Sequence, residues 1–234
     1  LLRFATTHDD KQEQRVTLED YVSRMKEGQD SIYYVIAESH TAAKNSPHLE
    51  IFRKKGIEVL LLTDRVDEWL MSYLTEFDGK KLKSVAKGDV ELDDKPKDDK
   101  EKEQVEKEEK AKEQKFESVI KNMQEVLKDQ VQEVRLSNRL TDSPACIVVA
   151  DQDMSLHLQR LMAQAGQDMG FGASKPTLEI NPDHALVKRL ETLSQGDELS
   201  DWTHILFDQA MLAEGGKLQD PATFVKRMNK YLAS

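Results

Sequence analysis

The sequence predicts an α+β protein in two parts, a small βαβα unit and then a mixed α/β unit that ends in a helical hairpin. Three observations carry that expectation. Two short continuous apolar runs, SIYYVIAE from Ser31 and IEVLLLT from Ile57, are each followed by a segment of helical periodicity. A mixed-charge tract, DVELDDKPKDDKEKEQVEKEEKAKEQK, runs from Asp89 to Lys115 and holds almost nothing that a core could use. Beyond it, apolar stripes at helical spacing reappear behind separate start signals.

Taken in order, Thr17 with Asp20 three residues on reads as a helix start, and Leu18, Tyr21, Val22 and Met25 share a face that should pack beside the sheet. The run from Ser31 is a strand, followed by a helix from about Thr41 to Lys55 closed by Gly56. Ser46-Pro47 looks like a cap and a first-turn proline that divide this helix in two. The run from Ile57 is the second strand, and both strands are apolar on both faces, as in a parallel sheet covered on each side. A helix from about Asp64 to Phe77, closed by Gly79, points Val66, Leu70, Tyr73, Leu74 and Phe77 one way, with Trp69 at the margin of that face and half buried.

The charged tract marks the boundary, giving units at 1–88, 89–115 and 116–234. The tract is expected to run helically into a packed helix whose stripe is Phe116, Val119, Ile120, Met123, Val126 and Leu127. Strands VQEVRLS and ACIVVA follow, then a helix from about Asp153 to Ala165, a mobile loop around Gly166, Gly170 and Gly172, and an extended PTLEI. Asn181-Pro182, Ser200 and Asp220-Pro221 start the last three helices.

Two of these helices are unusual in what they leave apolar. After Asp153, Met154, Leu158, Leu161, Met162 and Ala165 make one stripe opposite Gln159, Arg160 and Gln164, with Leu156 breaking the polar side. Core packing and an adaptable binding surface are both open to such a stripe, and exposure separates them. The helix from Ser200 sets Trp202, Ile205, Leu206, Ala210, Leu212 and Ala213 to one side and Phe207 and Met211 to the other, so it needs two partners. The last helix carries Phe224, Val225, Met228, Tyr231 and Leu232 in a stripe, and duplicating the hairpin about a two-fold axis makes a four-helix bundle.

The 234 residues are 38% apolar and 33% charged, with a formal net charge of -10 that argues against nucleic acid or an anionic membrane as partner and for other proteins. Cys146 is the single cysteine, so no internal disulfide forms, and a reducing compartment fits. No apolar run reaches the roughly 20 residues of a spanning helix and no leader is visible, which implies the cytoplasm. The apolar opening at Leu1, Leu2 and Phe4 has nothing before it to pack on, as in a fragment. The six histidines form no metal-ligand spacing, no glycine-rich phosphate loop opens a helix, and no GxSxG elbow is present, so no catalytic residue, metal or cofactor is assigned.

The segments EDYVSRMKEGQDSIYYVIAES, SPHLEIFRKKGIEVLLLTDRVDEWLMSYLTEFDGKKLKSV, VRLSNRLTDSPACIV, LEINPDHALVKRL and DPATFVKRMNKYLAS resemble the ninety-kilodalton heat-shock chaperone family over nearly the whole chain. The resemblance implies the end of the middle domain followed by the C-terminal dimerisation domain, without the ATP-binding domain or the arginine that reaches the nucleotide. The chain alone is then not an enzyme, while ATP and Mg serve the full-length protein, a slow ATPase. The family's client-contacting surface maps onto Glu68, Trp69 and Ser72 and onto Met154, Leu158 and Leu161; Ser72 and Leu158 stand where asparagine and methionine are expected. A homodimer seam is expected at Trp202, Ile205, Leu206, Leu212, Phe224, Val225, Met228 and Leu232. Unfolded clients and other cytosolic chaperones are the implied partners, and an ending without MEEVD fits bacterial members. The rival reading is a structural dimerisation or adaptor module with no client contact; an enzyme of unrecognised type comes third.

Overall fold

The computed structural model describes residues 2–89, 92, 99–164, 174–193 and 196–233, with the backbone alone at 99–106, 108–109 and 163–164. The loop expectation at Gly166, Gly170 and Gly172 lies outside these residues, as do Ala165 of the expected stripe and most of the charged tract before Asp99.

The first unit is a five-stranded sheet covered on both faces. Strand β1 (Ala5–Thr6) lies antiparallel to β3 (Val59–Leu62), and β3 lies parallel to β2 (Ser31–Ile36). Alternation along β2 and β3 sends Ile32, Leu60 and Leu62 to one face and Tyr33, Val35, Val59 and Leu61 to the other, which explains the continuous apolar runs. Helix α1 (Leu18–Ser23), started by a Thr17–Asp20 capping box, covers the first face with Leu18 and Tyr21. The second face is covered by α2 (His40–Lys44), a 3₁₀ turn (Pro47–Leu49) that Ser46 caps with Pro47 in its first turn, and α3 (Glu50–Lys55). Gly56 closes α3 at φ 61°, a left-handed residue.

Here the expectation needs two corrections. Helix α4 spans only Asp67–Tyr73, and Phe77 lies instead in strand β4 (Glu76–Phe77), which turns back antiparallel into β5 (Lys80–Ser84). Asp78 and Gly79 have φ of 49° and 72°, so Gly79 makes a tight hairpin turn rather than a helix cap. Strand β5 then pairs parallel with β2, extending the sheet to the order β1-β3-β2-β5-β4. Val66, which precedes α4, and Tyr73 face solvent, contrary to expectation, while Leu70, Met71 and Leu74 pack on the sheet.

Helix α5 (Asp99–Val126) carries the charged sequence directly into a packed segment, where Phe116, Val119, Met123 and Leu127 are buried. They close over a three-stranded sheet, β6 (Glu133–Leu136), β8 (Thr177–Ile180) and β7 (Ala145–Val148), in the order β6-β8-β7 with β8 parallel to β6 and antiparallel to β7. One face of this sheet, with Val134, Ala145, Ile147, Leu178 and Ile180, joins the helical core. Helix α6 (Leu156–Gln164) precedes β8; α7 (Ala185–Leu190), α8 (Asp197–Ala213) and α9 (Pro221–Leu232) follow it. Asp220 caps α9 ahead of Pro221 as expected, but His184 caps α7 while Asn181 holds the preceding turn, and α8 begins three residues before Ser200. Leu199, Leu206, Phe207 and Ala210 of α8 fill the core together, so Phe207 does not oppose Leu206 as expected.

The other face of the second sheet carries Arg135, Cys146, Val148 and Glu179 and meets the first unit through polar contacts. Lys87 bridges Val149, and the Gly88 N–H donates to the Val149 carbonyl at 2.9 Å. Arg139, fully buried, donates to the carbonyls of Val85 at 2.7 Å and Gly88 at 2.5 Å and to Glu179 at 2.8 Å.

Candidate functional site

The N-terminal end of α6 is built against α4. Ser155 caps α6 by accepting the Leu158 N–H at 3.0 Å, while its own hydroxyl donates to Glu68 Oε1 at 2.5 Å. Glu68 is buried under that contact, and Lys87 Nζ donates to the Asp153 carbonyl at 2.6 Å from the other side. Between these anchors lies a cleft of about 600 Å³ lined by Tyr34, Glu68, Met71, Ser72, Met154 and Leu158 among others. Gly88 sits at its edge with φ +54°, where a Cβ would fall 2.4 Å from an oxygen of the Asp151 carboxylate, so only glycine allows this approach.

Charge in the cleft is mixed. Burial, with the nearby Glu68 and Asp151 carboxylates adding, pushes the Tyr34 phenol up to about 12, so it stays a neutral donor. Burial lowers the His157 pKa and Arg160 adds to that, while Glu68 and Glu38 oppose it; the imidazole is neutral at pH 7. Arg160 lines the cleft together with Glu38 and Glu214, and donates to the Glu214 carbonyl at 2.7 Å.

Of the six residues expected to contact clients, Glu68, Ser72, Met154 and Leu158 line this one cleft. Trp69 and Leu161 are not among its lining residues; Trp69 stands outside it, 50% exposed beside the 86% exposed Tyr73. Met154 is 38% exposed. Leu156, which the helical wheel set on the polar side, is the residue of α6 that packs against the core, leaving Leu158, Leu161 and Met162 only half buried. Tyr34, Met71 and Asp151 were not legible in the sequence as cleft residues, because they come from a strand, a buried helix face and a loop that only the tertiary fold brings together.

The residues expected at a seam divide by burial. Ile205 and Leu206 are fully buried within this chain and can only support a seam from beneath. Helix α9 has no buried residue, and Leu212 of α8, Val225 and Leu232 are 45%, 52% and 74% exposed. Phe224 and Met228 are half buried beside them. What holds α9 is its other side, where Trp202 and Tyr231 rings meet at 4.9 Å and Asp201 accepts from Lys230 at 2.7 Å, Tyr231 at 3.0 Å and Arg227 at 3.3 Å. Partial burial raises the Asp201 pKa, but the hydrogen bonds and charges of Lys230, Tyr231 and Arg227 outweigh it and leave the carboxyl below its usual value.

Among the described residues no three His, Cys, Asp or Glu side chains are grouped to hold a metal, and no described helix is long and apolar enough to cross a membrane. Burial, with Glu179 adding, raises the Cys146 thiol well above its ordinary value, so it is protonated and unreactive.

A cleft edged by methionine, an exposed tryptophan outside it and an apolar helix face without buried residues are surfaces of the kind other polypeptides cover. The Hsp90 protein family matches residues 1–234, and the chain belongs to that family. It is 56% identical over 234 residues to the chaperone protein HtpG of Legionella pneumophila strain Paris, covering all of this chain and 36% of that protein. The HtpG proteins of Burkholderia lata and Cupriavidus taiwanensis are 58% and 57% identical, again over all of this chain and over 35% and 36% of theirs. The chain thus spans about a third of the length of the curated relatives it matches.

Proposed function

We propose that this chain is the client-binding and dimerising portion of a bacterial-type, cytoplasmic Hsp90 chaperone. In this reading residues 1–88 are the end of the middle domain, 89–115 a charged helical connector and 116–234 the dimerisation domain. Unfolded chains lie along the cleft, with Trp69 and Tyr73 as an aromatic lip outside it, Met154 and Leu158 as the adaptable wall, and Leu161 as a further apolar contact on α6 beyond it. Helices α8 and α9 pair with their two-fold mates as a four-helix bundle through Leu212, Phe224, Val225, Met228 and Leu232. ATP and Mg act elsewhere in the whole protein, and other cytosolic chaperones are further partners.

The observation that carries this reading is the exposure of Met154 in the cleft wall and of Trp69 outside it in a chain of this family. An adaptor whose apolar helices were merely core would have buried both. The test takes sedimentation equilibrium together with fluorescence anisotropy of a labelled, permanently unfolded protein. Trp69→Ala and Leu161→Ala should each weaken probe binding about tenfold while unfolding stays cooperative, since anchors of this type contribute on the order of 1–2 kcal/mol. Phe224→Glu or Met228→Glu should return a dimer to monomer mass, because a carboxylate is costly to bury in an apolar seam. Loss of cooperative unfolding in the first pair would reassign both residues to the core, and an unchanged mass in the second would place the seam elsewhere.

A further inference from the structure

We infer that Arg160 is a positioning residue that couples occupancy of the cleft to the strength of the dimer seam. This rests on the reading of cleft and seam given above, and goes beyond it by naming the physical link between them.

Three elements converge where α8 ends. Glu214 is the residue that follows the last turn of α8, and its carbonyl accepts from Arg160 of α6 at 2.7 Å. Arg160 Nε also lies 3.5 Å from Glu38 Oε1, just after β2. The Glu214 carboxylate in turn lies 2.7 Å from Nε2 of His48, a fully buried side chain of the first unit, without the alignment of a hydrogen bond. Gly215 has φ +71°, and a Cβ there would come 3.4 Å from Arg160 and 3.5 Å from the Glu38 carboxyl carbon, so the chain turns tightly around the guanidinium.

A cation at the carbonyl end of a helix is favourably placed, and this one is largely shielded from water, with the Arg160 side chain 23% exposed. Arg160 lies midway along α6 and lines the same cleft as the start of that helix, which is fixed through Ser155 to Glu68. A segment wedged between Met154 and Ser72 pushes α6 away from α4. Helix α6 cannot move without drawing Arg160 from Glu214, and Glu214 ends the helix whose Leu212 faces the seam. Filling the cleft therefore loosens α8 and weakens the dimer. Coupling of binding equilibria is reciprocal, so dimerisation must weaken client binding by the same factor, of about fivefold at the lower end of such effects.

The experiment measures the dimer dissociation constant of the whole chain by sedimentation equilibrium, with and without saturating reduced, carboxymethylated α-lactalbumin. The original chain, Arg160→Ala and Arg160→Lys are compared. Saturating probe should raise the constant about fivefold in the original chain. In Arg160→Ala, which also trims the cleft wall and is therefore titrated with probe to its own saturation, the two constants should coincide while the chain still dimerises, and Arg160→Lys should restore part of the difference because an ammonium still reaches the Glu214 carbonyl. Should Arg160→Ala fail to fold, Arg160→Lys and Glu38→Gln carry the comparison, each expected to reduce the factor. A constant unmoved by probe in the original chain, or a full effect retained in Arg160→Ala, overturns the coupling. A chain that binds no probe, or that stays monomeric, instead overturns the reading of cleft and seam, and the coupling falls with it.

Discussion

Arg139 shows what one residue can decide. Its guanidinium has no exposed surface, and it faces Glu179 Oε2 at 2.8 Å and Oε1 at 3.1 Å as well as the Val85 and Gly88 carbonyls. Glu179, itself buried, also accepts from Arg135 and Ser137, so nearly every polar atom of the pair is used. Taking the two charges out of water costs several kcal/mol per ion, which the pair offsets only while it is complete. Arg139→Ala should therefore cost about 3–5 kcal/mol in urea unfolding, and Arg139→Met combined with Glu179→Gln should cost less than Arg139→Ala alone. A loss under about 1 kcal/mol for the single change would mean that water reaches Glu179 and that the network is not a dry one. None of this was legible in the sequence. SNRLTDSP and PTLEI are ordinary polar and extended stretches, and a buried ion pair between residues 40 apart leaves no periodic trace. The placing of Trp69 was only partly legible: its 100° steps set it beside Val66 and Tyr73, but those two face solvent, so Trp69 stands on the exposed side of α4 and not at the margin of its buried face.

At the scale of elements, what the sequence displayed was the burial of apolar side chains, and what it concealed was pairing without burial. Strands β2 and β3 and the packed end of α5 announced themselves because their apolar residues are core residues. Strand β5, KKLKS, contributes only Leu82 to a core, and it is a strand because its backbone completes the edge of β2. The Asp78-Gly79 turn was visible as a dipeptide but was absorbed into a helix drawn too long. Helix α9 is the reverse case, a well-started helix with an apolar stripe and no burial, held to α8 by Asp201 and the Trp202–Tyr231 ring contact. Asp201→Ala should let α9 open on its own. Amide exchange across α9 should accelerate about tenfold in dilute protein, where a second copy does not cover it, while α8 keeps its protection. Equal acceleration in both helices would show that they open as one unit.

For the whole molecule, the question is whether the two sheets fold as one. Their apolar clusters do not mix among the described residues: one lies in the second unit around α5 and α8, a small one of Leu140, Cys146 and Val148 lies on the other face of its sheet, and the two that sandwich the first sheet stay with it. The join is polar. Besides Arg139 and the Lys87–Val149 bridge, the Glu50 carboxylate at the start of α3 accepts the N–H groups of Thr141, Asp142 and Ser143 at 2.6, 2.7 and 3.0 Å, and the Arg139 carbonyl accepts from Ile51 at 3.1 Å. Composition shifts at Asp89, but it says nothing of these contacts, which pair Glu50, Ile51 and the residues just before the tract with residues 139–149 well beyond it. Three backbone donors on one carboxylate amount to charge-assisted hydrogen bonds of the stronger kind, roughly 1.5–3 kcal/mol each before solvent exposure discounts them. The original chain should accordingly melt in one transition, with calorimetric and van't Hoff enthalpies equal at fixed protein concentration. Glu50→Ala leaves the apolar clusters intact and removes its three hydrogen bonds from the join, so it should broaden that transition or split it in two, and the van't Hoff enthalpy should fall well below the calorimetric one. A single sharp transition in Glu50→Ala would show that the Arg139 network holds the units together without it, whereas two transitions in the original chain would mean that the polar join is too weak to couple them at all.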